Sequence, residues 1–526
     1  MNQQKRREGE RDQPGVQVPE RGDREPEGAP IAVFYRGDRG RGSAPPSAAG
    51  RHNARFETSS CIRAATVRLV RPPFPLALEA AAVRAAGTLS RLAGRGGGTT
   101  LPGKLLWKVD PGAIDRLAAR LKDGSVLVSA TNGKTTTTAM VAEILRPFAR
   151  VAHNSSGANL VSGVASTLLH SAGDDLGLFE VDEAALPEVA QRVRPKALLL
   201  GNLFRDQLDR YGELETLAAR WRETVAALPE ARLIVNGDDP QVGDLAHARP
   251  DAIVFGVDDP RRARPALQHA ADSKYCVRCG TPYDYTAAYV GHLGDYTCPN
   301  CGHARPPLQV AAREIELHGL DGASFRLDTP AGSVTVELAL PGLYNVYNAV
   351  GAAALALALE IPFADVKAGL ERFSAAFGRF ERIAIGDRRV LMLLIKNPAG
   401  ANEVIRTLLE ATPPMVAVVA LNDAIADGRD VSWIWDVDFE PLLAGIDRVV
   451  VTGSRAAELA LRFGYGGLAR DRIEVVPRLE AALDRGLELI PAGGELIVLP
   501  TYTAMLALRR VVASRGHVKD YWEPAA

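Results

Sequence analysis

Val126-Leu-Val-Ser-Ala-Thr-Asn-Gly-Lys-Thr-Thr136 decides the fold. It starts as an apolar strand, turns through small and polar residues, and reaches Gly133-Lys134-Thr135, where a helix over Thr135–Leu145 is expected. Backbone N–H groups at the start of such a helix, with the helix dipole behind them, suit a polyphosphate. Lys134 is placed to reach the β- and γ-phosphates of a nucleotide, and Thr135 to coordinate Mg²⁺. Thr131, Asn132, Gly133 and Thr136 complete the candidate ATP-binding loop. The general pattern G-x-x-x-x-G-K-[ST] is not met, because Val128 stands at its first glycine.

Around this segment, apolar runs at Ser125–Ser129, Leu178–Val181, Ala197–Leu200 and Arg232–Val235 alternate with helix-like stretches. That order implies a parallel sheet flanked by helices. Tyr275–Gly302 interrupts it with cysteine pairs. A second alternation begins near Arg388, with expected strands Val390–Ile395, Met415–Leu421, Val449–Thr452 and Glu495–Pro500. The domain bounds drawn from this are 66–376 for a central α/β domain, with an insertion at 272–307, and 377–526 for a smaller Rossmann-like α/β domain.

Residues 1–65 are rich in Arg, Gly, Pro and Glu, a composition that buries too little apolar surface to offset its ordering entropy. They are expected to be a disordered tail, which removes Cys61 from any structural or catalytic role. Pro75 opens an Ala/Leu-rich stretch, Leu76–Leu92, read as a packing helix; contact with the inner face of the plasma membrane through it stays open. The net charge of −1 carries no broad basic field for nucleic acid. No apolar run is long enough to span a bilayer, and the first residues lack the order of a secretory signal, so a cytoplasmic protein is expected.

Four of the five cysteines form two C-x-x-C pairs, Cys276/Cys279 and Cys298/Cys301, each followed by a glycine. Four thiolates at this spacing suit tetrahedral Zn²⁺ with no open coordination position, hence a structural zinc ribbon; a redox role is the alternative.

Several segments resemble motifs of the Mur ligase superfamily, in that family's order. The loop resembles its G-T-N-G-K-T, with Ala130 for the leading glycine. Phe179-Glu-Val-Asp-Glu183 ends a strand on acids, and the resemblance makes Glu180, then Glu183, the Mg²⁺ partners. Asn202-Leu-Phe-Arg-Asp-Gln-Leu-Asp209 resembles N-x-x-x-D-H-L-D, with Gln207 for histidine. Asn236-Gly-Asp-Asp-Pro240 resembles a loop after a strand, and its composition also fits an Asx turn. Gly342-Leu-Tyr-Asn-Val-Tyr-Asn348 resembles G-x-H-N-x-x-N, which implies an adenine contact for Asn345. Gly378-Arg-Phe-Glu381 resembles the G-R-x-E hinge, which implies that Arg379 reaches the nucleotide. The implied fold is a Mur ligase central ATPase domain with a mostly parallel sheet and an inserted four-cysteine ribbon, plus the C-terminal domain.

Where amino-acid-adding members carry D-Y-A-H-N-P, this chain has Leu393-Leu-Ile-Lys-Asn-Pro398. With the ribbon and the loop Leu421–Asp436, this segment resembles the MurT branch, the ligase subunits of lipid II isoglutaminyl synthase. The resemblance implies an ATP-dependent ligase that makes an acyl phosphate on the D-glutamate α-carboxylate of lipid II at the membrane surface. Ammonia then displaces phosphate. The chain has no plausible glutaminase nucleophile, so ammonia must come from solution or a partner, and the resemblance implies a heterodimer with a GatD-type glutaminase subunit. It further implies that Asp430 completes that subunit's Cys–His pair. Without the resemblance, Leu421–Asp436 reads as a surface loop pinned by Trp433 and Trp435. An amino-acid-adding ligase and a nucleotide-binding scaffold that has lost catalysis are the competing readings.

Overall fold

The computed structural model describes residues 101–518 apart from 111, 155–156, 207–213, 269–270, 375–379 and 411–414. The expected tail with Cys61, the expected helix at Leu76–Leu92, Gln207 and Arg379 lie outside the described residues.

The chain first lays down β1 (Ser125–Ser129), β2 (Val151–His153), β3 (Leu176–Val181), β4 (Ala197–Leu200), β5 (Arg232–Asn236) and β6 (Ile253–Val257). β7 (Asp284–Val290) and β8 (Leu293–Thr297) leave this layer as a separate antiparallel hairpin. β9 (Val310–Leu317), β10 (Ala323–Thr329) and β11 (Gly332–Leu338) then return to it. The order across the resulting nine-stranded sheet is β11-β10-β9-β6-β5-β4-β1-β3-β2. It is parallel from β2 to β9, and β10 and β11 add an antiparallel edge.

Period-two alternation builds a core on each face of this sheet. Val126, Val128 and Leu178 enter one cluster, whereas Leu127, Phe179 and Val181 enter the other. The helix Leu343–Ala358 fills the first side; it is apolar nearly all round and almost wholly buried. The C-terminal sheet comprises β12 (Glu381–Ile385), β13 (Arg388–Met392), β14 (Met415–Ala420), β15 (Ile446–Thr452), β16 (Ile473–Val475) and β17 (Glu495–Pro500). Its order is β12-β13-β17-β14-β15-β16, with only β12–β13 antiparallel, and it too has a core on each face.

β13 stops at Met392, short of the expected Ile395. The chain beyond it stays extended and bonded to β17 on one side, through Leu393 N to the Val498 carbonyl at 2.9 Å and Ile395 N to the Pro500 carbonyl at 3.0 Å. The loop after β14 is held by buried Ile434 and partly buried Trp433, and Trp435, though 49% exposed, packs edge-on against Tyr465 at 5.7 Å and under Arg462 at 5.6 Å. No helix among the described residues is long and apolar enough to cross a membrane.

Candidate active site

β1 and β4 are neighbours, and the chain leaves β1 toward β2 and β4 toward β5, in opposite directions, so a crevice opens at their C-terminal ends. Ala130–Gly133 fills the β1 end and feeds the helix Lys134–Leu145. Gly133 has φ +86°, and a Cβ there would lie 2.0 Å from Asn348 Oδ1, so only glycine fits. Ala130 stays out of the positive-φ region.

The loop is shaped by the segment after β4. Thr131 N donates to the Asn202 carbonyl at 2.9 Å, and the Thr131 hydroxyl accepts from Phe204 N at 3.1 Å. Asn132 N donates to Asn202 Oδ1 at 2.9 Å, and Asn202 Nδ2 returns a bond to the Asn132 carbonyl at 3.0 Å. The Thr131 side chain is therefore committed to holding the loop, and Asn202, to which the sequence alone assigns no role of its own, is the residue that shapes it.

Lys134 is 5% exposed and donates to the carbonyls of Ala130 (2.9 Å) and Thr131 (3.2 Å) and to Glu183 Oε2 (3.1 Å). Burial opposes its charge, yet Glu183, Asp182, Glu180 and Asp206 together hold its ammonium above the ordinary value. Burial would likewise raise the Glu183 carboxyl, but Lys134 and then Lys396 override it and keep it below its usual range. The Thr135 hydroxyl donates to Glu180 Oε2 at 2.6 Å, and Asn159 Nδ2 reaches Glu180 Oε1 at 3.5 Å. Four carboxylates therefore surround two ammonium groups, Lys134 and Lys396. This acid surplus beside a paired hydroxyl and carboxylate fits Mg²⁺, with Thr135 and Glu180 as ligands and Glu183 next to them.

Above the loop is an open cleft of about 950 Å³. Asn132, Gly133 and Thr136 form its floor, Asn345 and Asn348 one wall, and Leu394, Lys396 and Gly400 a wall from the C-terminal sheet. Asn345 is buried, donating to the Pro341 carbonyl at 2.8 Å and accepting from Asn348 Nδ2 at 3.1 Å. Lys396 pairs with Asp206, and Asn397 exchanges amide bonds with Asn132. Asn397 also caps the helix Pro398–Leu408, accepting from Gly400 N at 2.8 Å. The Asn-Pro dipeptide is a helix-start signal that could have marked Asn397 from sequence.

Asp430 lies elsewhere, exposed on the loop after β14, and accepts from Ser432 N at 2.8 Å; the Ser432 side chain and then this backbone bond keep its carboxyl below the usual range. Asp427 anchors this loop: it is buried and accepts from the Thr503 N–H at 2.7 Å and from the Thr503 hydroxyl.

The four cysteines converge as the spacing requires, with all Sγ atoms within 4.8 Å of one another. The cross-pairs are Cys276–Cys301 at 3.5 Å and Cys279–Cys298 at 3.4 Å, close to the edge of a tetrahedron with Zn–S near about 2.3 Å. Each pair turns through a glycine of positive φ, Gly280 and Gly302. The donor set fits Zn²⁺.

Fold and loop together are those of a ligase of the Mur type. The Mur ligase middle domain family matches residues 128–305, and the MurT ligase C-terminal family matches residues 394–505. The chain is 33% identical over 447 residues to the lipid II isoglutaminyl synthase (glutamine-hydrolyzing) subunit MurT of Streptococcus pneumoniae, covering 82% of this chain and 98% of that protein. It is 31% identical to the subunit of the same name from Staphylococcus aureus, covering 78% and 91%. Its fold resembles a pseudomurein peptide ligase type C from Methanothermus fervidus, with a TM-score of 0.60 at 21% identity over 76% of this chain and 80% of that one. The chain belongs to the MurT family.

Proposed function

We propose that this chain carries out the ATP-dependent amidation of the D-glutamate α-carboxylate of lipid II to D-isoglutamine, with ammonia supplied by a GatD-type glutaminase subunit in a heterodimer. A carboxylate oxygen attacks the γ-phosphorus, the bond to ADP breaks, and an acyl phosphate forms. Ammonia then attacks the acyl carbon, phosphate leaves with the C–O bond, and a proton is lost. Activation is required because a free carboxylate has no adequate leaving group. Lys134 stabilises the charge on the transferring phosphoryl group, Asn345 lines the base site, and the family resemblance gives Arg379 the role of a further positive charge on the nucleotide. Thr135 and Glu180 would hold Mg²⁺, which would supply further charge neutralisation there. Lipid II presents its peptide at a membrane surface, so the chain works there as a peripheral protein.

The observation that carries amidation over amino-acid addition is the state of Leu393 and Lys396. Leu393 is wholly buried in the C-terminal core, and Lys396 is tied to Asp206. Neither can supply the acid and histidine found at these positions in amino-acid-adding Mur ligases, so ammonia, which needs no binding pocket of its own, fits better. Asp430, exposed and ionised, is available to orient the partner's histidine. The test is to incubate the chain with ATP, glutamine and a lipid II analogue, with and without the glutaminase, and to weigh the product. Amidation lowers the mass slightly, and only the pair should achieve it from glutamine. A product heavier by a whole residue would overturn the reading.

A further inference from the structure

Val290 and Leu293 line the nucleotide cleft together with Asn132, Gly133, Asn345 and Asn348. They form the tip of the β7–β8 hairpin, and the other end of that hairpin carries the four cysteines. The seven residues of β7 span roughly 20 Å, so the ribbon reaches from the thiol cluster to the cleft as one short lever.

At the cysteine end the ribbon touches the helix Pro240–Ala248 through Asp244, which meets Arg278 at 3.0 Å and His303 at 3.3 Å, while its own interior is small. Its own core is Cys276, Tyr283, Tyr296 and Cys298, with Tyr285 against them. A core of this size cannot fix a fold without a metal or a disulfide, and the four thiols are free of disulfides. At the tip, the fit to the nucleotide domain is tight. Gly291 has φ +59°, and a Cβ there would lie 2.7 Å from the Phe204 ring. His292 is fully buried, 4.6 Å from the Phe204 ring and 3.3 Å from Asp239 Oδ2. The Tyr289 carbonyl accepts from Arg264 at 3.3 Å and from Arg406, on the helix Pro398–Leu408, at 3.0 Å.

We propose that the ribbon hairpin is a working wall of the nucleotide cleft, and that metal at the thiols and nucleotide at the tip therefore bind with positive linkage. The metal sets the hairpin's position, and the hairpin's position sets the apolar surface offered to the base. The inference rests on the readings of the cleft as the ATP site and of the thiols as a zinc site. Linkage is reciprocal, so it can be measured from either ligand.

The experiment uses the unaltered full chain. Zn²⁺ affinity is measured by equilibrium competition with a colorimetric chelator, with and without saturating Mg²⁺–ADP, and ADP affinity by calorimetry before and after zinc removal. The expected result is a shift of about fivefold or more in both constants, equal within error. Leu293→Ala, which leaves all four cysteines in place, should keep its zinc content and bind ADP more weakly. Equal Zn²⁺ affinities with and without ADP would overturn the linkage even if zinc removal unfolded the chain. Chain that holds no zinc on metal analysis, or binds no ADP in either state, would overturn the underlying reading along with the inference. Intact binding of both ligands with unchanged constants would overturn the inference alone.

Discussion

Asn132 and Asn397 exchange hydrogen bonds through their side-chain amides: Asn132 Nδ2 donates to Asn397 Oδ1 at 3.3 Å, and Asn397 Nδ2 donates to Asn132 Oδ1 at 3.0 Å. One residue belongs to the phosphate loop and the other starts a helix of the C-terminal sheet. The pair joins the two halves of the cleft at the phosphate loop. Asn397→Ser keeps a helix-capping hydroxyl but is too short to reach Asn132. Its melting temperature should stay within a few degrees of wild type, while ammonia-driven turnover falls about tenfold through lost positioning. Wild-type turnover would show that the pair is a passive contact.

Glu180→Gln leaves an acceptor for the Thr135 hydroxyl but removes a charge from the Mg²⁺ site. ADP release should fall on the order of a hundredfold, and the Mg²⁺ concentration for half-maximal rate should rise. An unchanged Mg²⁺ titration would exclude Glu180 as a ligand.

Asp430→Asn should separate the two nitrogen sources. With free ammonia the variant should match wild type, because Asp430 is exposed and makes its bond within its own loop. With glutamine and the glutaminase subunit, product formation should drop by a factor of at least about a hundred. Equal activity with glutamine would remove Asp430 from the shared triad.

Asp238 gives a pH signature of stability. It accepts from the Tyr347 hydroxyl at 2.6 Å, from Val257 N at 2.9 Å and from Arg305 at 3.2 Å. Burial outweighs these donors and pushes its carboxyl up to about 6. The unfolded chain releases that proton near about pH 3.9. The folded state therefore holds the proton more tightly, and this contribution is fully present below about pH 4 and lost as pH rises through about 6. It amounts to roughly 3 kcal/mol at most. Asp238→Asn cannot ionise, so its stability relative to wild type should change across that window. A constant difference in urea midpoints from pH 4 to 7 would rule out the shift.

The strands buried on both faces were the most legible part of the chain. Ser125–Ser129, Ala197–Leu200 and Glu495–Pro500 form over the expected spans because each is an unbroken apolar run between polar or glycine-containing turns. The antiparallel end of the sheet, β9 to β11, is not legible in the same way, because polar residues interrupt its apolar ones; burial alternates through most of β10, whereas β9 is buried continuously only over its first three residues. The same division holds in the site. Lys134, Thr135 and the cysteines sit in local motifs whose spacing carries their chemistry. Lys396 and Asp206 acquire a role only by meeting across 190 residues. The hairpin tip is likewise defined by what the fold brings against it, and although Asn202 opens a recognisable motif, its bonds to the phosphate loop follow only from the fold.

Gly133 presses its α-carbon against Asn348 with no room for a further atom, and every other amino acid would add one. An inhibitor that draws its contacts from this glycine would therefore bear on a position with no viable escape mutation. Resistance would have to arise through the surrounding residues, and Asn348 would have to change first.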